Sequence, residues 1–127
     1  MLPPLRTKND NKAIIKGLKD GTIDVISSDH NPFEIETKKI EFDNAAFGII
    51  GLESAFGLIN KNLEKHMNLD QIIEKISNNP RKILGLKDTS IKEGNTANIT
   101  IFNPDYTWEF EENNIISKSK NSPFIGE

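Results

Sequence analysis

Asp29 and His30 stand side by side in Ser27-Ser28-Asp29-His30-Asn31-Pro32, directly behind the apolar run that ends at Ile26. A carboxylate can carry a proton or ligate a cation, and an imidazole can do either. Ile23, Val25 and Ile26 are β-branched and fit a buried parallel strand better than a half-exposed antiparallel one. In α/β sheets and barrels, side chains converge on ligands at the carboxyl ends of such strands, which makes this pair a candidate for chemistry. Asp-His-Asn-Pro is equally good loop chemistry, with Asp29 either capping a helix from Pro32 or starting a tight turn. His66, between Lys65 and Asn68 in a turn joining two helices, reads as solvated. With two histidines and no cysteine, there is neither a disulfide frame nor a thiolate site, so any metal needs His and carboxylate ligands.

The flanking pattern supplies elements that could hold the pair. Pro3-Pro4 imposes an extended segment, and Thr7 with Asp10 three residues on reads as an N-cap, so a helix should start at Lys8. Ala13, Ile14, Ile15 and Leu18 give that helix one apolar face, and Gly21 stops it just before the strand. Residues 29 to 47 carry many charges and no period, which predicts a long functional or mobile loop. Leu52, Ala55, Phe56, Ile59 and Leu63 then fall at helical spacing over about residues 51 to 65. Asn68 with Gln71 caps a further helix through Leu69, Ile72, Ile73 and Ile76; Asn79-Pro80 should end it and begin a short one reaching Leu84. Ala97, Ile99 and Ile101 alternate with polar residues, as do Tyr106, Trp108 and Phe110 beyond Asn103-Pro104-Asp105, which predicts an antiparallel β pair. A single parallel strand has no ladder partners here, so the chain reads as part of a larger fold.

The 127 residues carry 16 basic and 19 acidic side chains, a net charge of -3. Charges so mixed argue against a nucleic-acid backbone or an anionic membrane as partner. No apolar run is long enough to span a bilayer, and the N-terminus lacks a signal-peptide stretch, so a cytoplasmic location is expected.

Six pieces of the sequence together resemble the C-terminal part of bacterial dihydroorotases, members of the amidohydrolase superfamily. They are Pro3-Pro4-Leu5-Arg6-Thr7, Gly21-Thr22-Ile23-Asp24, Ser28-Asp29-His30-Asn31-Pro32, Glu41-Phe42 with Ala46 to Glu53, Asn79 to Leu86, and Ser117 to Phe124. The resemblance implies an α/β fold: residues 1–86 as the C-terminal segment of a (β/α)8 TIM-type barrel, its last strand and helices, and residues 87–127 as part of a small β domain. It implies the zinc-dependent, reversible ring closure of N-carbamoyl-L-aspartate to dihydroorotate in pyrimidine biosynthesis. Asp29 would then be both the catalytic proton carrier and a metal ligand, and Phe47 and Gly48 would meet the pyrimidine ring through their backbone. The remaining zinc ligands would lie upstream of Met1, so the isolated piece is expected to be inactive. Possible partners besides the small-molecule substrate are a second copy of the chain or aspartate transcarbamoylase.

Two positions depart from the family pattern. Leu2 stands where an Asn contacts substrate, and Phe33 where a His holds a substrate carboxylate; each loss removes a charged hydrogen bond of about 1.5 to 3 kcal/mol. His30, one residue from Asp29, should point elsewhere and act as a supporting or structural group. Three readings follow: a piece of a working dihydroorotase, a piece of an inactive scaffold relative, or a related cyclic-amide hydrolase with a less acidic substrate.

Overall fold

A computed structural model describes residues 2–87 and 89–127. Thr7 and Asp10 form the expected reciprocal cap at the start of α1, Lys8–Asp20, and Gly21 closes that helix at φ 83 in the left-handed conformation. The chain then runs without helix or strand from Ile23 through Ser28.

The expected strand at 23 to 27 is not realised as a strand. Among the described residues the sole pairing of sheet type is an isolated parallel bridge between His30 and Ile49. A ladder needs a neighbouring strand, and here the backbone groups of the segment are taken up by helices instead. Ile23 donates to the Gly17 carbonyl and Ile26 to the Lys75 carbonyl, while the Lys75 ammonium and Asn79 amide donate to the carbonyls of Ile23 and Asp24.

Those last partners come from the second half of the helical layer. A short helix, α2, Ile35–Lys38, interrupts what the sequence left as unbroken loop. The next helix, α3, spans Leu52–Leu63, with Leu63 buried but Leu52 exposed, so its buried stripe starts later than the apolar spacing predicts. Asn68 and Gln71 cap α4, Leu69–Ile73, as expected. The chain does not break at Asn79-Pro80. It widens into a π-helical turn, Glu74–Asn78, and continues as α5, Asn79–Ile83. Proline has no N–H and crowds the preceding turn, and a π-turn relieves both. Asn79 donates to the Glu74 carbonyl, and the Lys75 carbonyl takes up Ile26.

Leu18, Leu63, Met67 and Ile72 form one buried cluster, with Ile15, Ile23, Ile26 and Ile59 packed on it. A second is built from Ile50, Phe110 and Ile115, with Phe124 against it.

The antiparallel pair expected from Ala97 to Phe110 is also absent as a ladder among the described residues. Its turn exists, with Tyr106 donating to the Asn103 carbonyl, but alternation specifies a sheet only where a flanking strand covers it. The aromatic side chains lean on α3 instead. Phe102 meets Phe56 edge to face at 4.7 Å and Trp108 meets Phe110 at 5.8 Å.

Glu53, in the first turn of α3, ties this layer to the C-terminal segment by accepting from the amides of Ser117 at 2.9 Å and Ile116 at 3.2 Å. The Ser117 amide is the main reason its carboxyl titrates below the ordinary range. A depressed carboxylate stabilises the folded state above its unfolded pKa, and that stabilisation is lost as pH falls through the folded value. Acid titration followed by fluorescence of Trp108, the single tryptophan, should therefore show the aromatic layer releasing from α3 below about pH 4.5. In Glu53→Gln the acid-dependent component should shrink, leaving the part due to Glu127, which Lys61 of α3 likewise holds below the ordinary range.

Candidate functional site

Asp29 sits exposed with φ 44, the single non-glycine residue among those described with positive φ. Aspartate tolerates this conformation better than most residues, and such outliers gather at functional sites. Its amide donates to the Ser27 hydroxyl at 3.3 Å. The Asn31 side-chain amide donates to both the Asp29 carbonyl and Oδ1, each at 2.9 Å. Asp29 caps no helix from Pro32, and Asn31, not the residue's own backbone, engages the carboxylate.

The next residues run beside the stretch that carries the other two candidates. Asn31 donates to the Ile49 carbonyl at 2.8 Å, one bond of the His30–Ile49 bridge. Gly48, at φ 125, lies so close that a Cβ there would stand 2.7 Å from the Asn31 Cβ and 2.8 Å from the Phe33 ring. Asp29 and Phe47-Gly48 thus belong to two adjacent parallel stretches. The Phe47 side chain is 61% exposed.

His30 holds the start of α3. Its Nδ1 accepts from the amides of Gly51 at 3.1 Å and Leu52 at 3.2 Å, so Nδ1 carries no proton and Nε2 does. Helix α3 opens on Gly51, which has no side chain to cap it, and His30 satisfies the amides of Gly51 itself and of the first helical residue, two donors without an intrahelical partner. Sequence reasoning placed His30 in a supporting role without this partner, which lies 21 residues away. His66 is exposed at the α3–α4 turn, as expected.

Two contributors went unread. Lys38 donates to the carbonyls of Ala46 at 2.6 Å and Gly48 at 2.5 Å. Asn121 donates through its side chain to the Gly48 carbonyl at 2.9 Å and accepts Ile50 on its own carbonyl at 3.2 Å. Lys38 sits in a run of like-looking charges and Asn121 in a polar tail, so no local pattern marks either.

Phe33 does not leave a gap where a polar group is absent. Its ring fills the space against Gly48 and carries the Lys38 ammonium 5.3 Å from its centroid, within the range of a cation–π contact. A zinc ion needs three or four protein or water ligands. Among the described residues no three His, Cys, Asp or Glu side chains gather to hold a metal, so these residues by themselves do not fit the ion.

Comparison with known proteins covers nearly the whole chain. The chain is 48% identical over 126 residues to a dihydroorotase of Caldicellulosiruptor saccharolyticus, covering 98% of this chain and 29% of that protein. It is 50% identical over 129 aligned residues to a dihydroorotase of Endomicrobium trichonymphae, covering 99% of this chain and 31% of that protein. For a dihydroorotase of Trichlorobacter lovleyi the identity is 47% over 127 residues, covering 99% and 30%. The chain therefore spans about three-tenths of the length of these curated relatives. The profile of the amidohydrolase family matches residues 5–124. A match of that extent includes Asp29, the Phe47-Gly48 stretch and the helices that hold both, and the chain belongs to the amidohydrolase family.

Proposed function

We propose that this chain is the C-terminal part of a dihydroorotase that closes N-carbamoyl-L-aspartate to dihydroorotate and reopens it, with zinc supplied mostly by residues of a longer parent. In that parent, residues 1–86 complete a (β/α)8 barrel and residues 87–127 contribute to a small β domain. The observation that carries the reading is the strained Asp29 backbone held beside Phe47-Gly48 by the His30–Ile49 bridge. The near-complete coverage of this chain by proteins named dihydroorotase supports it. Exposed apolar side chains such as Phe42 at 93%, Ile101 at 93% and Ile116 at 90% support burial against further structure.

In the ring-opening direction, as water adds to the ring carbonyl and the C–N bond breaks, Asp29 would take the water's proton at its carboxylate and pass it to the departing ring nitrogen, and the Phe47-Gly48 backbone would orient the ring. No step is routed through the metal, since this chain's residues do not assemble its ligands. Zinc, when bound in the parent, would polarise the ring carbonyl.

The test is to express the complete reading frame that carries this segment and assay interconversion of carbamoyl aspartate and dihydroorotate. Turnover at rates ordinary for an enzyme, about 1 to 10³ per second, is the expected result. A soluble, folded, zinc-loaded parent without detectable turnover would overturn the reading and leave the scaffold alternative standing.

A further inference from the structure

We infer that Lys38 is a positioning residue of this site, one that fixes the Phe47-Gly48 backbone without touching substrate. The inference rests on the proposed role of Phe47-Gly48 and deepens it by assigning what holds that backbone in place.

The ammonium of Lys38 donates to the carbonyls of Ala46 and Gly48, which flank Phe47 on either side. A trans peptide is planar with its N–H opposite its carbonyl, so anchoring the oxygen fixes where the N–H points. Holding the Ala46 oxygen turns the Phe47 N–H away from the lysine, and holding the Gly48 oxygen does the same for the Ile49 N–H. The Phe47-Gly48 unit is thus suspended between two pinned peptide planes. Bonds from a charged donor are about twice as strong as neutral ones, which suits them to holding a glycine-containing stretch.

Three further contacts locate the clamp. Phe33 lies beneath the ammonium and its ring abuts Gly48 on the side where an added Cβ would project. Asn121, 73 residues away in sequence, provides a second donor to the Gly48 carbonyl. Lys38 is itself placed by α2, the short helix that Thr37 ties back by accepting the Ala46 amide at 3.0 Å on its carbonyl. Lys38 is half-buried, and no salt bridge competes for its ammonium among the described residues.

The experiment uses the complete parent protein with Lys38→Met, Lys38→Arg and Asn121→Ala. A misplacement of about 1 Å in a contact can cost about 10²-fold, and a contact made equally in ground and transition states appears in KM alone. Lys38→Met should raise KM for dihydroorotate about 10- to 100-fold with kcat within about threefold. Lys38→Arg, which keeps charge and donors, should recover most of the loss, and Asn121→Ala should shift KM the same way but less. Hydrogen exchange read by mass spectrometry should quicken in peptides covering 44 to 50 while α3 is unchanged. An unaltered KM together with unaltered exchange would overturn the clamp, as would a loss confined to kcat and thermal stability. If the wild-type parent shows no turnover, the proposed function fails on its own. The exchange comparison then decides the clamp, with faster exchange at 44 to 50 supporting it and no change removing it.

Discussion

Asp29→Asn in the complete parent protein should lower kcat for dihydroorotate hydrolysis by about 10²- to 10⁴-fold, the range expected when a positioned proton carrier is removed. The substitution is unusually clean here. Asparagine keeps an oxygen to accept from the Asn31 amide, as Asp29 Oδ1 does at 2.9 Å. It also tolerates the left-handed backbone that Asp29 occupies at φ 44. The local hydrogen bonds, the bridge from His30 to Ile49 and the contacts of His30 with α3 should therefore survive, leaving charge, proton affinity and metal ligation as the changed quantities, the last checked by measuring the zinc content of the variant. Circular dichroism should overlay that of the wild type while initial rates fall. A fall of less than about tenfold would show that Asp29 carries no proton in the reaction, whatever else the parent does.

Gly48→Ala should be the most damaging small substitution in the chain. At φ 125 an L side chain is strained in any surroundings, and here the new Cβ would also meet Asn31 at 2.7 Å and the Phe33 ring at 2.8 Å. Strain and overpacking each cost about 1 to 3 kcal/mol, so a loss of about 2 to 6 kcal/mol in unfolding free energy is expected by denaturant titration of the parent. Gly21→Ala separates the two effects. Gly21 also has positive φ, at 83, but a Cβ there meets nothing within 4 Å, so only strain of about 1 to 2 kcal/mol should appear. Equal losses at both positions would mean that the contact between the Asn31 and Gly48 stretches does not persist in solution.

The parts of the fold that could be read from sequence are those settled within a few residues. Thr7 with Asp10 and Asn68 with Gln71 both form the expected caps, because each pair closes its own bonds three residues apart. Ile23 to Ser27 and Ala97 to Phe110 have the right patterns for strands but lack ladders, because a ladder needs a neighbour that patterning alone cannot provide. The helix through Pro80 was misjudged for a similar reason. Proline announces a break, and only the tertiary bond from Ile26 to the Lys75 carbonyl gives the wider turn something to satisfy. At the site, Asp29 and the Phe47-Gly48 pair were visible as segments. Their supports were not: His30 reaches Gly51 across 21 residues, Lys38 reaches Gly48 across 10 and Asn121 reaches it across 73. Nothing in the residues between them records those distances.

The helical partners of residues 23 to 26 bear on association between chains. An uncovered row of strand donors and acceptors is a template on which other chains can pair, and proteins blunt such edges with lysines or with covering helices. Residues 23 to 26 have both devices at once: Lys75 and Asn79 occupy two carbonyls and the π-turn occupies the Ile26 amide. Ile23, Val25 and Ile26 would otherwise form a short β-branched stretch of the kind that seeds cross-strand aggregates. The π-turn before Pro80 thereby keeps the most adhesive stretch near the site quiet.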